Sequence, residues 1–510
     1  TGMIKYTNSV LDTAQNYVCV SRPRRFGKSM AANMLTAYYS RGCNSKELFG
    51  KFEIAKDKDF EKYLNQYNTI FLNMQEFLSR SHNAEELIDR VKKLVIRDLK
   101  MEYPEVDYFD DTDLIECMQD IYAETQYPFV VIIDEWDCIF REYKQDKEAQ
   151  EKYLDFLRDL LKDKVCIYLS YMTGILPIAK YSSGSELNMF LEYTMASEEK
   201  FNEYFGFTES EVDDLFVKYL KICEIPAITR EQLRLWYDGY ATKAGERMYN
   251  PRSVVTALSN NNIGNYWTSS GPYDEIFYYI KNNVADVKAD LALMVAGEAV
   301  QAKVREYAAA SMNLSTKNEI FSAMVVYGFL SYENGKVRIP NKELMEKFDE
   351  MLQKEESLGY IYRLAKESDK MLQATLANDT KTMEKILSYV HDTETPILSY
   401  NHETELSAIV NLAYLSARDQ YRIEREDKAG KGFVDFIFYP YDRAADGVIL
   451  ELKVDKTPEY AISQIKEKQY ALRFKGKLAE KQQFTGRILA VGINYDKETK
   501  QHRCKVEEIE

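Results

Sequence analysis

Four apolar runs punctuate the first 175 or so residues: NYVCV (16–20), TIFLNM (69–74), FVVIID (129–134) and VCIYLSYM (165–172). Amphipathic helical stretches separate them, so the alternation predicts a parallel sheet with crossover helices, an α/β fold. A sheet of that kind accounts for less than half the chain. At 510 residues the sequence is too long for one ordinary core, and two to four domains are expected.

The first run feeds SRPRRFGKSM (21–30), and KSMAANML reads as a helix starting at the GKS. A strand that aims a loop, a glycine that lets backbone N–H groups turn inward, and a helix N-terminus facing the anion together make a phosphate site. Gly27 permits the close approach, Lys28 reaches the β- and γ-phosphates, and the Ser29 hydroxyl binds Mg²⁺. The glycine expected five residues before Gly27 is Arg22, and Pro23, Arg24 and Arg25 add stiffness and positive charge. Taken alone, GKS is equally the end of a basic turn. The third run, FVVIIDEWD, decides between the two. It places Asp134 at a strand end to hold the Mg²⁺ shell, with Glu135 beside it to activate water. Thr173, after the fourth run, stands where a polar γ-phosphate sensor is expected. An arginine finger, worth about 10³–10⁵ in rate, is left to Arg22, Arg24 or Arg25, or to a second subunit of a homo-oligomer.

A second cluster stands in GFVDFIFYPYDRAADGVILELKV (432–454). Asp435 lies on one apolar strand, and Glu451 and Lys453 lie two apart on one face of the next. Two carboxylates converging on Mg²⁺ or Mn²⁺, with a lysine beside the water, suit phosphodiester cleavage. A surface ion pair between Lys453 and one acid is the plainer reading. Asp435 speaks against it, because its strand is otherwise apolar and a buried carboxylate needs a partner. Glu405 on the preceding helix is a candidate third carboxylate, and Gln464 a candidate contact to backbone or water.

The other features bound the class. Seven scattered cysteines without a CxxC pair and four histidines without a ligand pattern point to free thiols in a cytoplasmic protein. No apolar segment is long enough for a membrane span, and residues 1–20 show no signal-peptide pattern. The net charge of −15 resides in the first 400 residues, since acids and bases balance from Asn401 onward. Between Gln464 and Arg487 seven Lys/Arg stand against two Glu, a candidate DNA-facing patch or a solvated helix face. GFLSYENGKVRIP (328–340) predicts a hairpin between helices, the shape of a winged-helix unit. The expected division is 1–195, a P-loop domain; 196–270, a helical lid-like region; 271–395, helical and winged-helix-like; and 396–510, an α/β restriction-endonuclease-like domain.

RPRRFGKS, DEWD, TGILPI (173–178), WYDGY (236–240), YNPRSVV (249–255) and the D…ELK cluster resemble a bacterial family that joins an AAA-ATPase-like domain to a PD-(D/E)XK nuclease-like domain. In that family RPRRFGKS is the normal phosphate loop, so Arg22 is a shared trait. The resemblance implies ATP at Lys28 and Ser29, with Asp134 and Glu135 as the Mg²⁺ and water-activating pair. It implies a nuclease core of Asp435, Glu451 and Lys453, with Glu405 and Gln464 accessory. Val434 replaces the name pattern's proline. Gln464 is followed by Tyr470 at six residues, where exonuclease-type relatives have Gln-x-x-x-Tyr. The first expectation is an ATP-gated nuclease acting on DNA. The alternative is a nucleotide-switched module that grips nucleic acid or protein without cutting, favoured by the acidic first 400 residues, the 39 tyrosines and the lack of an obvious finger. A plain interaction protein would need both clusters to be coincidental.

Overall fold

The computed structural model describes residues 1–178, 187–195, 200–267, 285–305, 314, 316–354, 360–393, 403–429, 432–442, 444–472, 474 and 486–509. The chain divides into two units, Thr1–Ile276 with Gln301–Glu343, and Phe277–Val300 with Leu344–Glu510.

The four apolar runs become β1 (Tyr17–Ser21), β2 (Asn68–Asn73), β3 (Phe129–Asp134) and β4 (Ile167–Gly174), and a short β5 (Leu191–Tyr193) completes the sheet. Its order is β2-β3-β4-β1-β5, with every neighbouring pair parallel. All six residues of β3 are buried, as both-face coverage of a parallel sheet requires. The Ala84–Glu102 helix shows how the crossovers form. Leu87, Val91, Val95, Ile96 and Leu99 recur at three- and four-residue spacing and are buried. Asn83 caps its start by accepting from the Glu86 N–H at 2.8 Å, and Pro104 follows its end.

Tyrosine is partly an interior residue here. Tyr38 and Tyr39, on the Lys28–Tyr39 helix, are fully buried, and each hydroxyl is matched. Tyr38 donates to the Phe60 carbonyl at 3.1 Å, and Tyr39 donates to Asn8 Oδ1 at 2.8 Å. Rings supply apolar area while their hydroxyls stay satisfied.

After β5 come the helices Glu209–Ile222, Arg230–Tyr237 and Pro251–Asn260, started by the Thr208 and Thr229 capping boxes and by Asn250 with Pro251. The hairpin expected around Glu-Asn-Gly is present, Ser331–Glu333 pairing antiparallel with Lys336–Arg338. Asn334 and Gly335 turn it, both at positive φ.

In the second unit a five-stranded mixed sheet runs in the order Tyr421–Ala429, Gly432–Pro440, Gly447–Val454, Ile488–Asp496, Gln501–Ile509. Only the third and fourth strands pair in parallel, joined through the Pro458–Glu467 helix. The last strand lies beyond the helix–strand–strand–strand–helix–strand series that the sequence predicts. Among the described residues no helix is long and apolar enough to cross a membrane. Half of the basic stretch between Gln464 and Arg487, with four of its seven Lys/Arg, lies outside the described residues.

Candidate functional site

At the carboxyl end of β1 the chain enters the arginine loop, and the Lys28–Tyr39 helix begins at its far end. Gly27 caps that helix at φ 91°, a left-handed conformation that costs glycine nothing. Lys28 is buried, and its Nζ donates to the Arg22 and Pro23 carbonyls, each at 3.0 Å. Burial pulls its pKa down, opposed by Glu135, Asp137 and Asp134, three carboxylates gathered near one ammonium.

β4 lies between β1 and β3, and its register places Thr173 beside both Val20 and Asp134. The buried Thr173 hydroxyl donates to the Val20 carbonyl at 2.9 Å. Asp134 is wholly buried, and burial pushes its carboxyl up, with the Ser29 hydroxyl and the Lys28 ammonium acting the other way. Its Oδ1 accepts the Glu135 N–H at 3.0 Å, while Oδ2 is buried without a hydrogen-bond partner among the described residues. An orphaned carboxylate oxygen next to an exposed serine hydroxyl fits the oxygen donor set of Mg²⁺.

The three arginines of the loop differ. Arg22 is 1% exposed; its guanidinium donates to the Ser21 and Tyr193 carbonyls at 3.0 and 2.8 Å and to Asn202 Oδ1 at 3.1 Å, and lies over the Phe205 ring. It ties the loop to β5 and to the segment after it. Arg24 and Arg25 are half-buried, and Arg25 sits at φ 70°. Other anchors hold the loop from distant sequence. Phe26 packs edge-on against Tyr240, the Arg24 carbonyl accepts from Trp267 Nε1 at 3.0 Å, and a Cβ on Gly328 would lie 2.7 Å from Pro23. WYDGY thus supports the loop through its last tyrosine. Arg22→Ala should lower the thermal unfolding midpoint, because three buried acceptors lose their donor at about 1–3 kcal/mol for each one left unsatisfied. Differential scanning calorimetry checks this; an unchanged midpoint with weakened nucleotide binding would instead make Arg22 a ligand contact.

Two residues of this centre were not singled out from the sequence. Asp137 is fully buried, and its Oδ2 accepts the N–H groups of Ile175 and Leu176 at 3.1 and 2.9 Å. Arg141 donates to Glu135 Oε2 at 2.5 Å and lies 3.2 Å from Asp137 Oδ2. The TGILPI motif thereby gains a role. A Cβ on Gly174 would come within 2.7 Å of Trp136 and Asp137, so glycine is what lets the DEWD turn pack there.

In the second unit, the antiparallel register of Phe436 with Leu450 sets Asp435 opposite Glu451. Asp435 Oδ2 accepts the Leu452 N–H at 2.7 Å. Glu451 is 2% exposed, Lys453 is buried beside it, and Lys453 Nζ donates to Glu451 Oε1 at 2.9 Å. Gln464, from the Pro458–Glu467 helix, donates to the same oxygen. Burial, then the Asp435 charge, push the Glu451 carboxyl up to about 7, against the pull of Lys453. Glu451 Oε2 is buried without a partner among the described residues. This is again a donor that a hard cation fits. Among the described residues no three His, Cys, Asp or Glu side chains gather to hold one ion, so the described centre is a carboxylate pair. Glu405 lies on the Glu403–Ala413 helix, and its side chain falls outside the described residues.

Tyr470 also joins this cluster. It is fully buried, and its hydroxyl hydrogen-bonds the Gln464 side chain. A Gln-x-x-x-Tyr spacing presumes a continuous helix, but this helix stops at Glu467 and the chain then turns, returning residue 470 to Gln464.

Comparison with known proteins gives two family matches. Residues 5–183 match the model described as a predicted AAA-ATPase, and residues 403–504 match that of the PD-(D/E)XK nuclease superfamily. An uncharacterized protein in the vnfD 5′ region of Azotobacter chroococcum mcd 1 is 24% identical over 257 residues, 49% of this chain and 47% of that protein. The chain therefore spans about half the length of the curated relative it matches. Among solved structures, the Walker-type ATPase of Pyrococcus abyssi aligns over 68% of this chain and 93% of its own, at 12% identity and TM-score 0.39. The ORC2 protein of Aeropyrum pernix, in its ADPNP–ADP complexes, aligns over 69% and 91%, at 11% identity and TM-score 0.34. Those structural likenesses are too distant to carry chemistry.

Proposed function

We propose that this chain, which joins a predicted AAA-ATPase region to a region of the PD-(D/E)XK nuclease superfamily, binds and hydrolyses ATP and couples it to metal-dependent cleavage of DNA. One observation supports both halves. Each centre sets a buried lysine beside a buried carboxylate that has one oxygen without a partner among the described residues: Lys28 with Asp134, and Lys453 with Glu451. A buried carboxylate oxygen without a partner is costly, and such an arrangement suits a site that receives a cation.

In the first centre Lys28 and the loop amides would hold the phosphates, Ser29 and Asp134 would hold Mg²⁺, Thr173 stands at the sensor strand, and Glu135 would take the proton of the attacking water. The half-buried Arg24 and Arg25 are the loop's candidates for a finger, alongside an arginine from a second subunit. In the second centre Asp435 and Glu451 would hold Mg²⁺ or Mn²⁺, which supplies Lewis acidity at the scissile phosphate. Lys453 orients the water, Gln464 fixes Glu451 Oε1, and Glu405 is an accessory carboxylate.

Purified protein incubated with linear and circular DNA, Mg²⁺ or Mn²⁺, with and without ATP, tests the proposal. Cleavage that disappears in Asp435→Asn and changes in Lys28→Ala is expected. No cleavage of any DNA under any of these conditions would overturn it. The acidic balance of the first 400 residues favours a second reading, a nucleotide-switched module that grips nucleic acid or a protein partner without cutting. Salt-dependent DNA retention in the absence of cleavage would favour that reading.

A further inference from the structure

Glu135 leaves β3 at φ 54°, a backbone conformation that a glutamate holds only when its surroundings fix it. What fixes its side chain is Arg141, six residues on, in the short Cys138–Glu142 helix. The arginine is itself fixed. Its side chain is 7% exposed and Asp137, one helical turn earlier, is fully buried. Asp137 is pinned in turn by the two N–H groups of Ile175 and Leu176, just after β4. Burial works against the charge on Arg141, and the Asp137 and Glu135 carboxylates more than offset it, so the guanidinium stays charged. A chain of contacts therefore runs from the backbone after β4 to Glu135, by hydrogen bonds to Asp137, an ion pair from Asp137 to Arg141 and a hydrogen bond from Arg141 to Glu135.

Buried ion pairs are poor stabilisers, since well-packed apolar residues commonly do as well or better. Their merit is direction. The Glu135 side chain keeps 24% of its surface exposed while one oxygen is anchored in a nearly solvent-free pocket. We infer that Arg141 is a positioning residue for ATP hydrolysis: anchored through Asp137, it holds Glu135 by Oε2 and leaves Oε1 to meet the attacking water. In that step the water oxygen bonds to the γ-phosphorus, the bond to the bridging oxygen of the leaving ADP breaks, and the water proton passes to Glu135. The inference rests on the proposed role of Glu135.

Single-turnover ATP hydrolysis by the full chain with Mg²⁺ tests it, comparing wild type with Arg141→Gln, Arg141→Lys, Glu135→Gln and the Arg141→Gln/Glu135→Gln pair. Losing an orienting partner typically costs about 10–100-fold in activity. At saturating ATP, Arg141→Gln should lose that much in single-turnover rate, and Arg141→Lys, which keeps the charge, should recover part of it. On the Glu135→Gln background, Arg141→Gln should cause no further loss. A rate unaffected by Arg141→Gln overturns the inference, as does an equal loss in both backgrounds, which would place the arginine on the nucleotide or in the fold. Should Arg141→Gln not fold, Arg141→Lys carries the same comparison. If Glu135→Gln hydrolyses ATP at the wild-type rate, the reading of Glu135 itself fails and takes the inference with it. Normal Glu135 dependence without Arg141 dependence sinks the inference alone.

Discussion

Glu451→Gln is expected to abolish metal-dependent DNA cleavage, a loss on the order of 10³-fold or more if the cation supplies several kcal/mol of transition-state stabilisation. The amide keeps the size of the side chain but leaves the buried Lys453 ammonium without its charged partner, so a melting curve of the variant accompanies the activity measurement. The wild-type carboxyl is pushed up to about 7 by burial and by Asp435. Its folded-state value therefore lies above its unfolded value, and the folded chain binds this proton the more tightly. The corresponding stability is fully present below the unfolded value near 4.5 and is lost as pH rises through about 7. A divalent cation competes for the same oxygen. Below pH 7 its apparent affinity should fall about tenfold per pH unit, and thermal stabilisation by Mn²⁺ should be larger at pH 8 than at pH 6. Asp435→Asn and Glu451→Gln should both lose that pH-dependent stabilisation. A Mn²⁺ shift in the Glu451→Gln variant equal to that of wild type would place the cation elsewhere.

Much of this architecture was legible locally. The four apolar runs became four parallel strands because a strand covered on both faces writes itself as uninterrupted Val, Ile and Phe, as β3 does. In the two five-stranded sheets, β5 and the last strand escaped for the opposite reason. β5 has three residues, of which only Tyr193 is buried. Gln501–Ile509 buries His502, Cys504 and Val506 between exposed polar residues, an alternation with weak apolar contrast. The positions of the chemical groups could be read from motifs, but their orientations could not. Arg22 was placed in the loop by sequence, whereas its partners Tyr193 and Asn202 lie 171 and 180 residues away. Asp137 and Arg141 show a local i,i+4 acid–base spacing common on any helix surface. Only the amides of Ile175 and Leu176, brought in by β4, make that pair part of a centre. Tyr470 departs from the Gln-x-x-x-Tyr spacing, and its return to Gln464 depends on where the helix ends.

Lys28→Ala should cost nucleotide affinity on the order of 10²–10³-fold, the scale of removing one partner from a buried charge-assisted contact. The resting geometry explains why so much depends on one ammonium. Its hydrogen bonds to the Arg22 and Pro23 carbonyls fold the side chain back along the loop. Burial lowers its pKa, and three carboxylates, Glu135, Asp137 and Asp134, act in the opposite direction. A triphosphate arriving at the helix N-terminus would otherwise face those acids with Arg141 as their principal counter-charge, and Arg141 is already committed to Glu135 and Asp137. In the proposed nucleotide site Lys28 would thus offset acid-on-phosphate repulsion in addition to contacting the phosphates. Lys28→Met separates the two possible losses: it retains most of the buried stem, so a loss of binding equal to that of Lys28→Ala assigns the effect to charge. Isothermal titration with ATP and with a non-hydrolysable analogue, alongside melting curves for both variants, gives the comparison. Binding within a few-fold of wild type in the methionine variant would mean that the arginines of the loop carry the phosphates and that Lys28 does not.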